Sequence, residues 1–286
     1  MRVLVLGGGQ IAQAVGAAVP AEHEVAIRKH ADLDIIDPSA LARALAEVRP
    51  DWVVNAAAYT AVDLAEDDAA RAIAVNDTAV ASIAGAAARQ GSRLLHLSTD
   101  FVFDGESKRA YLPSDRTSPL SVYGASKLAG EAHVAASGAG IVLRTSWVYA
   151  ASGKNFVLTM LRLMREKEQI SVVSDQIGAP TWAASAAAAI WGLIDVAAAP
   201  GIYHWTDLGV ASWYDFAVAI QDEALARGLL SRAVPILPIH SSEYPTRAQR
   251  PAFSVLDSAL TRSLIRAPAR HWRHNLRMML DELRAA

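Results

Sequence analysis

The sequence of 286 residues contains no cysteine. Disulfide bonds, thiol catalysis and cysteine-ligated zinc or iron–sulfur sites are therefore excluded. An excess of charge of one sign is also lacking, because 27 Lys and Arg face 29 Asp and Glu and the formal net charge is −2. Without a general basic field, we expect the protein to bind neither nucleic acid nor an anionic membrane surface.

Long apolar runs of the kind that cross a bilayer are missing as well. The run RVLVL at 2–6 leads directly into glycines, so we expect no signal peptide, and the stretch 182–200 is largely alanine and is interrupted by Asp195. Since a transmembrane helix needs about 20 strongly apolar residues, we interpret 182–200 as a buried helix. With 52% hydrophobic residues, the composition is typical of a globular, cytoplasmic protein.

Short β-type runs alternate with helical stretches through the first half of the chain. This alternation predicts an α/β fold with a doubly wound parallel sheet of the Rossmann type. The predicted strands are 2–6, 23–28, 52–58, 93–98 and 141–146, and the predicted helices between them are 10–19, 38–48, 66–90 (one or two helices) and 121–136.

Beyond Tyr149 the alternation of short β-type runs and helical stretches gives way to helices separated by short apolar pieces. Further helices are predicted at 155–167, 183–198, 212–227 and 270–284, and the segment 235–251 is predicted to be irregular. We therefore predict a dinucleotide-binding domain over 1–149 and a smaller C-terminal substrate-binding lobe, which takes up most of 150–286. Segments around 170–200 could return to the first domain.

A glycine-rich segment directly follows the first predicted strand and opens the first helix. It contains Gly7-x-Gly9-x-x-Ala12, which is the dinucleotide fingerprint with alanine at the third glycine position. Glycines allow the backbone to approach a pyrophosphate closely, and the helix N-terminus offers free N–H groups to that anion. The first turn of this helix adds Gln10 and Ile11 to the predicted cofactor contacts.

The end of the second predicted strand bears on the type of cofactor. A site specific for NAD usually has an acidic residue there, which binds the ribose 2′-hydroxyl. This sequence has Arg28 and Lys29 instead, which suit a 2′-phosphate. The pair favours NADPH, while NADH stays open because both residues could be solvated surface charges.

Tyr123 and Lys127 form the first element of a predicted catalytic site. They lie four residues apart at the start of a predicted helix, so their side chains share one face. An ammonium group next to a phenol lowers the phenol pKa from its ordinary value near 10. The hydroxyls of Ser98 and Thr99 follow the fourth predicted strand, at the sheet edge where open α/β folds bind ligands.

Together these residues resemble the extended short-chain dehydrogenases/reductases, and the resemblance sharpens to the dTDP-4-dehydrorhamnose reductase family. It covers essentially the whole chain, with the motifs in the family's order. The motifs that carry it are NAAAYTAVD at 55–63, STDFVFDG at 98–105, PLSVYGASKLAGE at 119–131, RTSWVY at 144–149, NFVLTMLRL at 155–163, DQIGAPT at 175–181, SWYDFAVAI at 212–220 and YPTRAQRPAFSVLD at 244–257.

The resemblance implies an NAD(P)H-dependent enzyme that reduces the 4-keto group of a nucleotide-linked sugar, dTDP-4-dehydro-β-L-rhamnose. It assigns catalysis to Thr99, Tyr123 and Lys127, the last two also contacting the cofactor. The further cofactor contacts that it implies are Asp34, Ile35, Ala57, Ala58 and Asn76. The substrate contacts that it implies are Thr60, Val62, Asp100, Tyr123 and Trp147. To these, the match between guanidinium and phosphate geometry adds Arg247 and Arg250 as candidates for the nucleotide diphosphate.

The sequence departs from the family pattern in two places. The glycine loop is one residue shorter than usual, and Phe101 stands where a tyrosine is more common. Some relatives dimerise around magnesium, but no matching acidic pattern is evident, so we predict no metal and either a monomer or a homodimer. Two alternatives stay open: a reductase of another nucleotide-linked 4-keto-deoxysugar, and a regulatory subunit that binds NADP without catalysis.

Overall fold

The computed structural model describes residues 1–268 and 270–285. Its strands are β1 Arg2–Leu6, β2 Glu24–Arg28, β3 Trp52–Asn55, β4 Arg93–Thr99, β5 Gly140–Thr145, β6 Val148–Tyr149, β7 Ile170–Val173, β8 Ile177–Gly178, β9 Thr181–Trp182, β10 Gly201–His204, β11 Ala211–Ser212 and β12 Ile236–Ile239. Its helices are α1 Gln10–Ala17, α2 Pro38–Val48, α3 Val62–Ala65, α4 Ala69–Ile73, α5 Ala79–Gln90, α6 Val122–Ala136, α7 Phe156–Glu166, α8 Ala183–Asp195, α9 Trp213–Ala226, α10 Ala259–Leu264 and α11 Trp272–Ala285.

In the described part of the chain, six strands form one parallel sheet in the order β2-β1-β3-β4-β5-β10. The order reverses between β1 and β3, and ligands of open α/β sheets bind at such a switch point, outside the carboxyl ends of the strands. Those ends carry the glycine loop after β1 and the Ser98–Thr99 hydroxyls at the end of β4. The predicted doubly wound α/β fold is confirmed.

Helices cover both faces of this sheet because successive side chains of a strand point to opposite sides. On β1, Val3 and Val5 pack against α1 and α8, whereas Leu4 and Leu6 pack against the opposite layer of α2 and α5. The stretch interpreted as a buried helix is α8, whose Ile190 is fully buried against the sheet. No helix in the described ranges is long and apolar enough to span a bilayer.

Local capping explains where two of the helices begin. Asp37 accepts a hydrogen bond from the backbone N–H of Ser39 (2.8 Å), and Pro38 occupies the first position of α2. Ser121 caps α6 by accepting from the N–H of Gly124 (3.1 Å). Caps of this kind satisfy N–H groups that a helix start otherwise leaves free. The cap at Ser121 fixes where α6, which carries Tyr123 and Lys127, leaves the preceding loop.

Two features differ from the sequence-based prediction, and a third, the one or two helices predicted over 66–90, takes the form of two helices. Strand β10 joins the edge of the sheet through β5, although its short sequence GIYH carries no clear strand pattern. The Ala-rich stretch 66–90 contains α4 and α5 joined by a π-turn, Ala74–Thr78. Part of the segment predicted to be irregular is β12, which pairs in parallel with β7 despite Pro238. The pair of β7 and β12 lies outside the six-stranded sheet. Within 170–200, the element that packs against the six-stranded sheet is α8.

A separate apolar cluster forms in the second half of the chain. It is built from α7, α9, α11 and β7, with Phe216, Leu276 and Met279 fully buried. The loop before α7 is hydrogen-bonded to the first turn of α1 through Asn155 and Gln10 (3.0 Å), which places this cluster next to the carboxyl edge of the sheet. The predicted division into a domain over 1–149 and a lobe over most of 150–286 stays a prediction.

Candidate active site

Two adjoining cavities open along the carboxyl edge of the sheet. We call one the glycine-loop cavity; its volume is about 340 Å³, and it is lined by Gly7, Gly8, Gly9, Arg28, His30, Leu33, Asp34, Ile35, Ala56, Ala57, Ala58, Tyr59, Thr60, Arg71 and Val75. We call the other the Tyr123 cavity; its volume is about 420 Å³, and it is lined by Gly9, Gln10, Ile11, Ala56, Ala58, Thr60, Val62, Leu97, Ser98, Thr99, Asp100, Phe101, Tyr123, Lys127, Thr145, Ser146, Trp147, Val148 and Lys154. The two cavities adjoin, because they share Gly9, Ala56, Ala58 and Thr60, and we refer to them together as the groove.

The glycine loop is shaped for close backbone approach. Gly7 has φ +121°, and a Cβ there would lie 2.9 Å from the backbone of Ala56 and Ala57, so only glycine fits. At Gly9, by contrast, a Cβ would meet no described atom within 4 Å. Gly9 is also the N-cap of α1, and no side chain of the described residues caps that helix. The free N–H groups of α1 therefore face open space at the groove, as an anion site requires.

Of the two basic residues at the end of β2, only one lines the groove. Arg28 lines the glycine-loop cavity, where its guanidinium also binds Glu47 (3.1 Å). Lys29 is not among the described residues that line either cavity, and its stem packs against Gly8. His30 and Arg71 line the cavity as well. Arg28 thus keeps its predicted place at the groove, while Lys29 acts as packing for the loop.

The residues predicted for the adenosine end fall into two groups. Asp34, Ile35, Ala57 and Ala58 all line the glycine-loop cavity. Asn76 lies outside the described linings of both cavities: its amide accepts from the N–H of Tyr59 (2.9 Å) and donates to the Tyr59 carbonyl (3.0 Å) and to Ser126 Oγ (3.1 Å). Asn76 therefore supports the loop that follows β3, and a direct cofactor contact stays a prediction.

Tyr123 and Thr99 come together in the cavity named after Tyr123. They meet because α6 lies close to the turn after β4. Gly124 allows this approach, since a Cβ there would lie 2.3 Å from the Phe101 carbonyl oxygen. The Phe101 ring packs edge-on against the Tyr123 ring, with centroids 5.6 Å apart. Thr99 Oγ1 donates to Asp100 Oδ1 (3.1 Å). Replacement of the more common tyrosine by Phe101 therefore leaves an apolar wall beside the phenol.

The pKa of Tyr123 does not follow the sequence-based expectation. Burial raises this pKa from 10.0 to about 12; the Thr99 hydroxyl lowers it and the Asp100 charge raises it. Lys127 does not lower it, because the Lys127 ammonium points elsewhere, donating to the Leu97 carbonyl (2.7 Å). In this state the phenol keeps its proton at neutral pH.

Lys127 is fully enclosed between two buried groups. Its Nζ lies 3.2 Å from His96 Nε2, and His96 Nδ1 lies 3.0 Å from the amide of Asn55. Burial lowers the Lys127 pKa from 10.5 to about 8, an effect that the negative charge of Glu131 opposes. His96 and Asn55 carry no spacing signal that could have predicted this arrangement.

Ser98 has a different role from its neighbour Thr99. Its hydroxyl donates to Glu131 Oε1 (2.5 Å), and the same carboxylate forms a buried ion pair with Arg144 (2.6 Å). The sequence-based expectation placed both hydroxyls at one point. Successive side chains of β4 point to opposite sides, and the Ser98 hydroxyl is taken up by the ion pair.

The predicted sugar contacts Thr60, Val62, Asp100 and Trp147 all line the Tyr123 cavity. Asp100 is 2% exposed, and its Oδ2 has no hydrogen-bond partner among the described residues. Burial raises the Asp100 pKa from 3.8 to about 6. An orphaned oxygen of this kind in a cavity wall is suited to bind a hydroxyl of a bound molecule.

Trp147 is held at the cavity in a strained conformation. Its φ is +48°, which is uncommon for a bulky residue. The indole stacks on Trp213 with centroids 3.5 Å apart and planes 4° apart. A Cβ at Gly178 would lie 2.5 Å from this ring. Stacking and the absence of a side chain at Gly178 together fix the Trp147 ring.

Arg247 and Arg250 line a third cavity, of about 500 Å³, with Asp175, Gln176 and Tyr244 among its other residues. The structure does not bring them to the Tyr123 cavity. Arg250 binds Asp63 with two nitrogens (3.1 and 2.7 Å), and Arg247 forms an ion pair with Asp67. Their predicted role toward a diphosphate stays a prediction, since carboxylates now occupy both guanidinium groups.

Comparison with known proteins gives the family. A profile described as "RmlD substrate binding domain" matches residues 1–285. The chain is 42% identical to a dTDP-4-dehydrorhamnose reductase of Burkholderia thailandensis, over 99% of each chain, and 39% identical to one of Escherichia coli, over 87% of this chain and 85% of the relative.

The fold is also similar to that of a solved relative, the dTDP-4-dehydrorhamnose reductase of Bacillus anthracis in complex with NADP. The TM-score is 0.93, with 33% identity over 98% of this chain and 99% of that chain. Nearly complete coverage at these identities, together with the shared fold, shows that the chain belongs to the dTDP-4-dehydrorhamnose reductase family.

Proposed function

We propose that the protein uses NADPH to reduce the 4-keto group of dTDP-4-dehydro-β-L-rhamnose, which yields dTDP-L-rhamnose. One observation carries the proposal: the cavity at the glycine loop adjoins the cavity that contains the paired hydroxyls of Thr99 and Tyr123. A dinucleotide along this groove extends from the anion site of α1 to a proton donor. The names of the relatives support the sugar nucleotide as substrate.

The residues at the groove fit such a cofactor. The N-terminus of α1 offers free N–H groups next to Gly9, and the space that a Cβ would fill there is open. These groups would hold the pyrophosphate. Asp34 and Ile35 would hold the adenosine, with Arg28 on the side of a 2′-phosphate. Thr99 and Tyr123 line the other end, where the nicotinamide belongs.

The chemistry divides between the cofactor and the chain. When bound, NADPH supplies the hydride for the sugar C4. Tyr123 donates the phenolic proton to the carbonyl oxygen as negative charge develops there, and the Thr99 hydroxyl donates a hydrogen bond to the same oxygen. A Tyr123 pKa of about 12 suits this direction, because the acid stays protonated at neutral pH.

Lys127 and Asp100 support the reacting groups. Lys127 is proposed to bind the nicotinamide ribose. We further propose that, once the cofactor is bound, its ammonium turns from the Leu97 carbonyl toward Tyr123 and stabilises the phenolate that forms when Tyr123 has given up its proton. Asp100 is proposed to accept a hydrogen bond from a sugar hydroxyl, because it lines the cavity and its Oδ2 has no hydrogen-bond partner among the described residues. The lobe that takes up most of 150–286 is proposed to bind the nucleotide, since it supplies Trp147's stacking partner Trp213.

A substrate panel tests the function. We would follow consumption of NADPH with dTDP-4-dehydro-β-L-rhamnose and with other nucleotide-linked 4-keto-deoxysugars, and identify the products by NMR. Turnover should be fastest with the rhamnose precursor. Faster turnover of another sugar would contradict the substrate assignment but not the chemistry, whereas NADPH binding without turnover of any sugar would support a regulatory protein.

Arg28→Ala is expected to weaken binding of NADPH more than of NADH. A charge-assisted hydrogen bond to a 2′-phosphate contributes roughly 1.5–3 kcal/mol, so the ratio of the two Kd values should change about tenfold or more. Lys29→Ala is the matched control, because Lys29 packs on the loop instead of lining the groove. Calorimetric titration of both cofactors measures the ratio. An equal loss for NADPH and NADH in Arg28→Ala would show that Arg28 does not contact the phosphate.

Trp147→Ala is expected to raise the KM for the sugar nucleotide about three- to tenfold, because an aromatic contact contributes roughly 0.5–1.5 kcal/mol. The Kd for NADPH should stay close to that of the wild type. Trp147→Phe keeps an aromatic face and should give an intermediate KM. Steady-state kinetics and thermal melting separate the roles: a lower Tm with an unchanged KM would show that Trp147 serves packing alone.

A further inference from the structure

The loop between β6 and α7 leans on the first turn of α1. Asn155 donates from Nδ2 to Gln10 Oε1 (3.0 Å), and Gln10 Nε2 donates to the Lys154 carbonyl (3.3 Å). Gly153 lies so close that a Cβ there would be 3.4 Å from the Gln10 side chain. The second half of the chain thus reaches back to the helix that holds the anion site.

Asn155 makes this loop a defined structure. Its Oδ1 caps α7 by accepting from the N–H of Leu158 (3.1 Å), while Nδ2 also donates to the Ala150 carbonyl (2.8 Å). Because both ends of the amide are engaged, the residue before it has a fixed backbone position. That residue is Lys154, which lines the Tyr123 cavity together with Gly9 and Gln10.

Lys154 differs from Lys127 and Arg28, two other cations of the groove. The ammonium of Lys127 is buried and donates to the Leu97 carbonyl, and Arg28 is paired with Glu47. Within the described ranges Lys154 forms no ion pair with a carboxylate, and it is exposed at the rim of the cavity. It is therefore a cation next to free N–H groups, and an ammonium beside such groups is the pattern of a phosphate site.

We propose that Lys154 contacts the pyrophosphate of the dinucleotide, so that the β6–α7 loop, which is hydrogen-bonded to the first turn of α1, completes the phosphate site. This inference rests on the proposed function. Under this proposal both halves of the chain form the phosphate site: the glycine loop supplies N–H groups, and the loop 150–155 supplies the positive charge.

Binding measurements with Lys154→Met test the proposal, because methionine keeps an unbranched side chain only one atom shorter and removes the charge. The Kd for NADPH should rise about three- to tenfold and depend less steeply on salt. Lys154→Arg should bind within about twofold of the wild type. Lys167→Met, at the other end of α7, is the control and should bind NADPH as the wild type does.

Two fragments locate the contact. Adenosine 2′-monophosphate lacks the pyrophosphate and dTDP represents the substrate's diphosphate, so Lys154→Met should bind both as the wild type does. Unchanged NADPH binding in Lys154→Met, or a loss confined to dTDP or equally large for adenosine 2′-monophosphate, would overturn the assignment and leave the proposed function intact. Failure of the wild type to bind NADPH would overturn the proposed function as well.

Discussion

Tyr123→Phe is expected to lower kcat by about 10²–10⁴-fold while the protein still folds and binds NADPH. General acid catalysis typically contributes a factor of this size, and the substitution removes only the phenolic hydroxyl. The ring itself keeps its edge-on contact with Phe101 at 5.6 Å, so the apolar wall of the cavity should persist. Single-turnover measurements with saturating cofactor would report the chemical step directly.

A matched control is available in Tyr149→Phe. Tyr149 is as deeply buried, in the apolar cluster of the second half, and lies outside the described lining of the Tyr123 cavity. Its replacement should leave kcat unchanged. If both variants turned over like the wild type, Tyr123 would not be the acid. A normal NADPH Kd in Tyr123→Phe would exclude that the loss of turnover comes from weaker cofactor binding.

The parts of the site that depend on local sequence could be predicted. The glycine loop follows from a strand, two glycines and a helix start, and Gly7 and Gly9 lie where that pattern puts them. The Tyr123–Lys127 spacing defines one face of α6 by helical periodicity alone. The carboxyl edge of the sheet then brings Thr99 to them, because parallel strands end at the same edge.

The parts that depend on long-range pairing could not be predicted. Arg247 and Arg250 have the chemistry of phosphate ligands, but they pair with Asp67 and Asp63, which lie about 180 residues earlier in the chain. The raised pKa of Tyr123 follows from burial, which no spacing shows. The edge strand β10 is short and is recognisable only by its pairing with β5.

Lys154 and His96 illustrate the same limit at the groove. Lys154 belongs to a loop without regular structure, and it comes to the groove because Asn155 and Gln10 bind each other across 145 residues of sequence. His96 reads as one more residue of an apolar strand, and only the fold places its ring between Asn55 and Lys127. The roles of such residues can be recognised only from the tertiary structure.

Lys127→Met is expected to lower kcat by about 10²-fold or more and also to raise the Kd for NADPH by about tenfold. The first effect follows from losing the charge that stabilises the Tyr123 phenolate, and the second from losing a charge-assisted hydrogen bond to the ribose. Tyr123→Phe should leave the Kd unchanged, so the two variants differ in the cofactor titration. The double variant should be little slower than the slower single variant, because the two residues act as one unit.

The stability of Lys127→Met gives a second readout that kinetics cannot supply. In the folded protein the Lys127 pKa is about 8, below the ordinary 10.5, so between these values the unfolded chain binds more protons than the folded one. Lys127 therefore increases the free energy of unfolding of the wild type as pH rises through this window. Below about pH 8 the lysine is charged in both states, and burial of this charge lowers the free energy of unfolding. The variant lacks this contribution.

Urea unfolding of both proteins at pH 7 and at pH 9.5 should show the stability of Lys127→Met, relative to the wild type, falling as pH rises. Lys108→Met, an exposed lysine outside the described linings of the groove, should show no such change. A constant difference across this range would mean that Lys127 is not held with a lowered pKa. In that case His96 and the Leu97 carbonyl would hold the ammonium in place without lowering its pKa, and only the kinetic effect of Lys127→Met would remain.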